Sequence, residues 1–133
     1  MPPSPSRPPA ERTPAARRLR AEGFGRRGET LAALYLGAKF YRIIHRRYRT
    51  PVGEIDLIVR RGRVTVFVEV KSRMRSDDEA EALEAVDTAR IGRAAQYFLA
   101  RHPQLAETPL RFDVIFLAPF ALPRHVTNAF DVQ

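Results

Sequence analysis

This chain of 133 residues contains no cysteine and no tryptophan. The first absence removes disulfides, thiolate metal ligands and cysteine nucleophiles together. Lysine is nearly missing as well: of 23 basic residues only Lys39 and Lys71 are lysines, and the other 21 are arginines. Long apolar runs are lacking. The longest, Val114 to Pro123, carries two prolines and is far below membrane-spanning length, so no membrane partner is expected. Neither a glycine-rich phosphate loop nor a nucleophile elbow occurs. His45, His102 and His125 have no spacing that suggests a metal site or a triad, and surface or capping roles are expected for them. These exclusions leave a soluble, cytoplasmic protein as the expectation.

Hydrophobic content of 44% with 29% charged residues suits a globular protein, and the length fits one domain with a real core. The net charge of +8 points toward a polyanionic partner. That charge is unevenly spread. Residues 1–27 hold seven Arg and two Glu, Lys39 to Arg75 contains eleven basic residues against three acidic ones, and Ser76 to Ala89 contains six acidic residues and no basic one. Residues 1–21 include six prolines and almost no large apolar side chains, so a flexible Pro/Arg-rich tail is expected there, with 22–133 as a single domain. Arg17-Arg18 runs into Leu-Arg-Ala-Glu rather than an apolar stretch, which argues against a signal peptide.

From Gly28 the spacing predicts an amphipathic helix stopped by Gly37. Strands follow over Tyr41 to Arg49, Glu54 to Arg60 and Val64 to Ser72, the last two joined by a turn at Arg61-Gly62. Ser76 with Glu79 has capping-box spacing for a helix start, and Asp87 is a competing cap for a helix reaching about Arg101 with Ile91, Ala94, Ala95 and Phe98 as its buried stripe. Arg111 to Leu117 and Val126 to Phe130 read as further strands. This order predicts an α/β or α+β architecture, α/β being preferred, with a central mixed β-sheet flanked by helices.

Two acidic strand segments carry the chemistry: Gly53-Glu54-Ile55-Asp56-Leu57 and Phe67-Val68-Glu69-Val70-Lys71. Strand alternation puts Glu54, Asp56 and Ile58 on one face, and Thr65, Phe67, Glu69 and Lys71 together on the next strand. Closure of the hairpin then brings Asp56, Glu69 and Lys71 to one side, with Glu54 beside them as a secondary candidate. Paired carboxylates repel unless a cation joins them, and an oxygen-only site favours magnesium or manganese. Such an ion can bind a phosphodiester oxygen, activate water and stabilise charge on phosphorus. Lys71 would orient the water or support developing charge, and Glu29 on the first helix can add a ligand. In a chain that otherwise uses arginine, a lysine here suggests a need for a compact ammonium. The same residues also fit a solvated strand face with cross-strand ion pairs. Arg42, Arg46, Arg47 and Arg49, with His45 and Tyr48, fit a phosphate-binding strip, and equally a charged edge strand protected from pairing. Asp113, within an apolar strand, is expected to be a buried structural hydrogen-bonding residue.

Gly28-Glu29, Tyr35-Leu36, Gly53-Glu54-Ile55-Asp56-Leu57-Ile58, Phe67-Val68-Glu69-Val70-Lys71-Ser72-Arg73, Arg111-Phe112-Asp113-Val114-Ile115 and Asn128-Ala129-Phe130 together resemble the YraN family of small bacterial proteins, across nearly all of residues 24–130. That family is similar to the PD-(D/E)XK nucleases, especially the archaeal Holliday-junction resolvases. The resemblance implies a restriction-endonuclease-like three-layer fold in which Asp56, Glu69 and Lys71 match the nuclease triad and Glu29 matches the resolvases' first-helix glutamate. It also implies a metal-dependent DNA endonuclease acting on branched or damaged DNA, with Arg73 beside Arg42, Arg46, Arg47 and Arg49 at the nucleic acid and a homodimer for two-strand cleavage. The alternative is a non-catalytic nucleic-acid-binding accessory factor that retains the nuclease fold. One departure is visible at Val86-Asp87-Thr88-Ala89-Arg90-Ile91, shorter and less basic than the family's usual entry to its second long helix.

Overall fold

The computed structural model describes residues 28–73 and 79–132. The expected tail over residues 1–21 and the Ser76 cap lie outside them. Residues 28–38 form helix α1. The strands are β1 (Arg42–Thr50), β2 (Gly53–Arg61), β3 (Val64–Ser72), β4 (Leu110–Leu117) and β5 (Arg124–Val126), with helices α2 (Glu79–Glu84), α3 (Thr88–Arg101) and α4 (Pro103–Ala106) between β3 and β4. All five strands lie in one sheet in the order β1-β2-β3-β4-β5. Only the β3–β4 pair is parallel, because the helical crossover joins those two strands, and the sheet is therefore mixed.

Alternation along the strands gives the sheet two apolar faces. Leu57, Val59, Val66 and Val68 pack with Ala32 and Leu36 of α1, whereas Ile58 and Phe67 pack with Ala94, Ala95 and Phe98 of α3. Ile55 leaves the expected alternation and joins Ile58 under α3. Asp87 caps α3 as expected, its carboxylate accepting the Arg90 N–H at 3.0 Å. No helix among the described residues is long and apolar enough to cross a membrane.

Several sequence expectations are corrected. Gly37 does not stop α1. The left-handed residue is Phe40 (φ 70°), with Tyr41 N–H donating to Leu36 O and Phe40 N–H to Gly37 O, both at 3.0 Å. This is a Schellman closure, and the contact between Leu36 and Tyr41 within the core supplies the apolar clasp that lets phenylalanine take a conformation glycine usually fills. The hairpin turn is at Gly62-Arg63, since Arg61 pairs with Val64 and Arg60 with Thr65. Register is thus two residues from the expected one. A shift of two preserves side-chain parity across the hairpin, so the register error does not itself move the expected faces; Ile55 alone departs from them. The last strand is Arg124–Val126 rather than Val126 to Phe130.

Asp113 is fully buried and structural, as expected. It accepts a bidentate pair from Arg111 (both 2.8 Å), the His125 Nε2 contact at 2.6 Å and the Asn128 N–H at 2.9 Å. These bonds tie the segment after β4 back onto the sheet. Burial would raise the Asp113 pKa, but hydrogen bonds from His125 and Arg111 outweigh it and hold the carboxyl below its usual value. His125 is consequently no surface residue: its side chain is 1% exposed, with Nδ1 3.0 Å from Lys39 Nζ. His102 does fulfil the capping expectation, its Nδ1 lying 2.9 Å from Phe98 O at the end of α3.

Candidate active site

The β2–β3 ladder ends at Leu57↔Val68, immediately before Asp56 and Glu69. Beyond that point the two strands part, and a backbone donor loses its ladder partner. Asp56 fills the gap, its Oδ2 accepting the Val70 N–H at 2.7 Å. One carboxylate thereby both closes the sheet and faces the opening that the parting creates.

That opening is a cavity of about 310 Å³ lined by Glu54, Asp56, Glu69 and Lys71 from the strands and by Ala85, Asp87, Arg90 and Ile91 from the helical side. Lys71 Nζ lies 3.6 Å from Glu69 Oε1. Glu29 reaches the cluster from the first turn of α1: single carboxylate oxygens of Glu29, Glu54 and Asp56 all lie within 4.8 Å of one another. The seat of α1 explains how. A Cβ on Gly28 would stand 3.3 Å from both Leu117 Cδ1 and Ser72 Oγ, so glycine allows the helix start to settle on the ends of β3 and β4. Gly53 plays a similar part for α3, since a Cβ there would lie 2.9 Å from Arg90 Cγ and 3.0 Å from Arg90 O.

Gathering these acids has an electrostatic cost that appears in their proton affinities. Burial, then the charge of Asp56, pushes the Glu69 pKa up to about 8 despite Lys71. Burial raises Asp56 as well, offset in part by the Val70 N–H. Glu29 is raised by burial and by Asp56. The Asp56 and Glu69 carboxyls act on each other, so the two titrate as a pair with raised proton affinity. Oxygen-only donors, mutually close and repelling, fit a hard divalent cation.

The expected arginine strip is not one surface. Arg42 pairs with Arg60 near the hairpin end of β2, whereas Arg47 lies between Arg46 and Tyr48, which pair with Leu57 and Ile55. Arg46 donates to Thr30 Oγ1 at 2.6 Å, and Arg49 lies 3.5 Å from Glu54 while remaining 68% exposed. Arg47 instead enters the acidic cluster, with Nε 3.5 Å from Glu29 and 3.7 Å from Glu54. Arg73 donates to Ser72 O and lines a separate apolar cavity of about 280 Å³ with Gly28, Leu31 and Leu117. Sequence reasoning had no role for Asp87 or Ala85 at the site. Their place depends on how α2 and α3 pack, which no local spacing encodes.

An α/β protein with a carboxylate cluster at the splayed end of a mixed sheet is the class that these elements define. Residues 28–117 match the model of a family described as Uncharacterised protein family UPF0102, a span holding every acid of the cluster and Lys71. A UPF0102 protein of Methylorubrum extorquens (strain PA1) is 50% identical over 127 residues, covering 96% of this chain and 98% of the relative. One from Rhodopseudomonas palustris (strain BisB18) is 48% identical over 130 residues, covering 98% and 96%, and one from Bradyrhizobium diazoefficiens is 51% identical over 116 residues, covering 87% of each. The chain belongs to the UPF0102 family, the YraN family.

Proposed function

We propose that this protein is a metal-dependent DNA endonuclease with a restriction-endonuclease-like fold, hydrolysing phosphodiester bonds in branched or damaged DNA. The observation that carries the reading is the shared cavity of Asp56, Glu69 and Lys71, with Glu29 and Glu54 close behind. Asp56, Glu69 and Glu29 would hold magnesium or manganese, with Glu54 near enough to add an oxygen. When bound, the ion would supply Lewis-acid polarisation of a phosphodiester oxygen and neutralise part of its charge.

The chain's own groups do the rest. The Val70 N–H fixes one oxygen of Asp56, leaving the other toward the cavity. Burial and the charge of Asp56 raise the proton affinity of Glu69, and a bound cation would favour its carboxylate form. Lys71, aimed at the cavity beside Glu69, donates hydrogen bonds that orient the attacking water and offset charge developing on the phosphoryl oxygens. Magnesium-dependent cleavage across linear, nicked, flap and four-way DNA tests the reading. Asp56→Ala and Glu69→Ala should abolish cleavage while DNA binding persists, and Lys71→Arg should be severely impaired because a planar guanidinium does not fit a compact ammonium's place.

One observation favours the runner-up, a non-catalytic nucleic-acid-binding accessory factor: Arg47 already sets a positive charge against Glu29 and Glu54. Binding without cleavage of any of these substrates, with magnesium or manganese, would establish that role instead.

A further inference from the structure

Arg47 combines three unusual properties. Its backbone is left-handed (φ 51°) inside β1, a conformation that is rare and strained for a residue with a side chain. Consecutive strand residues point to opposite faces, yet Arg46 and Arg47 reach neighbouring residues of α1, Thr30 and Glu29. The left-handed step turns Arg47 back toward that helix. Its Nε is buried and has no hydrogen bond among the described residues. The contacts that hold it, 3.5 Å to Glu29 and 3.7 Å to Glu54, are ion pairs too long to be good hydrogen bonds. Among the described residues, the Nε is held by these ion pairs and by no hydrogen bond.

We infer that Arg47 is a resident counter-cation which a divalent metal ion displaces from Glu29 and Glu54, and that the released guanidinium then grips a phosphate of the bound nucleic acid. The inference rests on the nuclease reading and names a coupling within its site. A cation shared by the nearby oxygens of Glu29, Glu54 and Asp56 would stand against the guanidinium with twice its charge. The loosely held arginine is the group that yields, whereas Asp56 is anchored by the Val70 N–H. The Arg47 side chain is 26% exposed, so a path to solvent exists, and its planar donors match phosphate oxygens. Metal and nucleic acid would then bind cooperatively, each raising the affinity of the other by the same factor.

The test titrates manganese into the full chain without DNA, by calorimetry, for wild type, Arg47→Gln and Arg47→Lys. Removing the competing charge should tighten manganese binding about threefold to tenfold in Arg47→Gln, as expected for the loss of two partly exposed ion pairs, while Arg47→Lys stays near wild type. Should Arg47→Gln fail the accompanying thermal-unfolding check, Arg47→Ala replaces it. A fluorescent DNA duplex is titrated in parallel with and without calcium, its integrity checked on a gel. Calcium should tighten DNA binding more in wild type than in Arg47→Gln. Unchanged or weaker manganese binding in a folded Arg47→Gln, or equal tightening in Arg47→Lys, overturns the exchange. An equal calcium effect on DNA in both proteins overturns the phosphate contact. Either result leaves the nuclease reading standing if wild type binds manganese through Asp56 and Glu69; wild type that binds no manganese defeats both.

Discussion

Replacing Glu69 by Gln should make the metal-free protein more stable at alkaline pH and leave it nearly unchanged in acid. The perturbation removes a carboxyl whose folded pKa, about 8, lies well above its ordinary 4.5. Between those values the folded chain binds a proton that the unfolded chain has released. The unfolded state therefore binds fewer protons, and stability falls as pH rises through this window. Nearly one proton of difference corresponds to roughly 1.4 kcal/mol per pH unit, giving a wild-type loss of about 3 kcal/mol between pH 5 and pH 8 from this site. The glutamine variant cannot incur that loss. Urea unfolding of both proteins at pH 5, 6, 7 and 8 with a chelator present measures it, and the difference between them cancels the titrating groups that Glu69 does not touch, leaving the Asp56–Glu69 pair. Magnesium at pH 8 should restore most of the wild-type deficit and do little for the variant. A stability difference that stays flat across this range would show that Glu69 is not held in a buried, like-charged pair.

Asp113→Ala strips the partner from half-buried Arg111 and buried His125 and should cost about 3 kcal/mol in urea unfolding, since the groups left behind lose their compensation. Gly53→Ala forces a Cβ against the Arg90 backbone oxygen; thermal unfolding should show a loss of about 1–3 kcal/mol, and cleavage should weaken further as α3 is pushed from the cavity. Arg46→Ala with Arg49→Ala should lower the salt slope of DNA binding by about 1 to 2, as expected when two phosphate contacts are lost; an unchanged slope would locate the DNA surface elsewhere.

The sequence alone determined the first four strands, the mixed sheet and the common side of Asp56, Glu69 and Lys71. Period-two alternation is a local property, and a two-residue error in register leaves it intact. Glu29 was legible through its motif position after Gly28, and Glu54 through its nearness to Asp56. Arg47 was not. A bulge between Ile43 and His45 and a left-handed step at Arg47 redirect β1, so a residue read as part of a solvent-facing strip joins the acids instead. Nor did any local pattern bury His125, whose place follows from Asp113 lying twelve residues upstream on the neighbouring strand. The parting of β2 and β3, which opens the cavity, and the approach of α3 across Gly53, which walls it, arise only when distant segments pack. Tertiary structure decided these features because each depends on contacts between elements far apart in the chain, where propensity and spacing carry no signal.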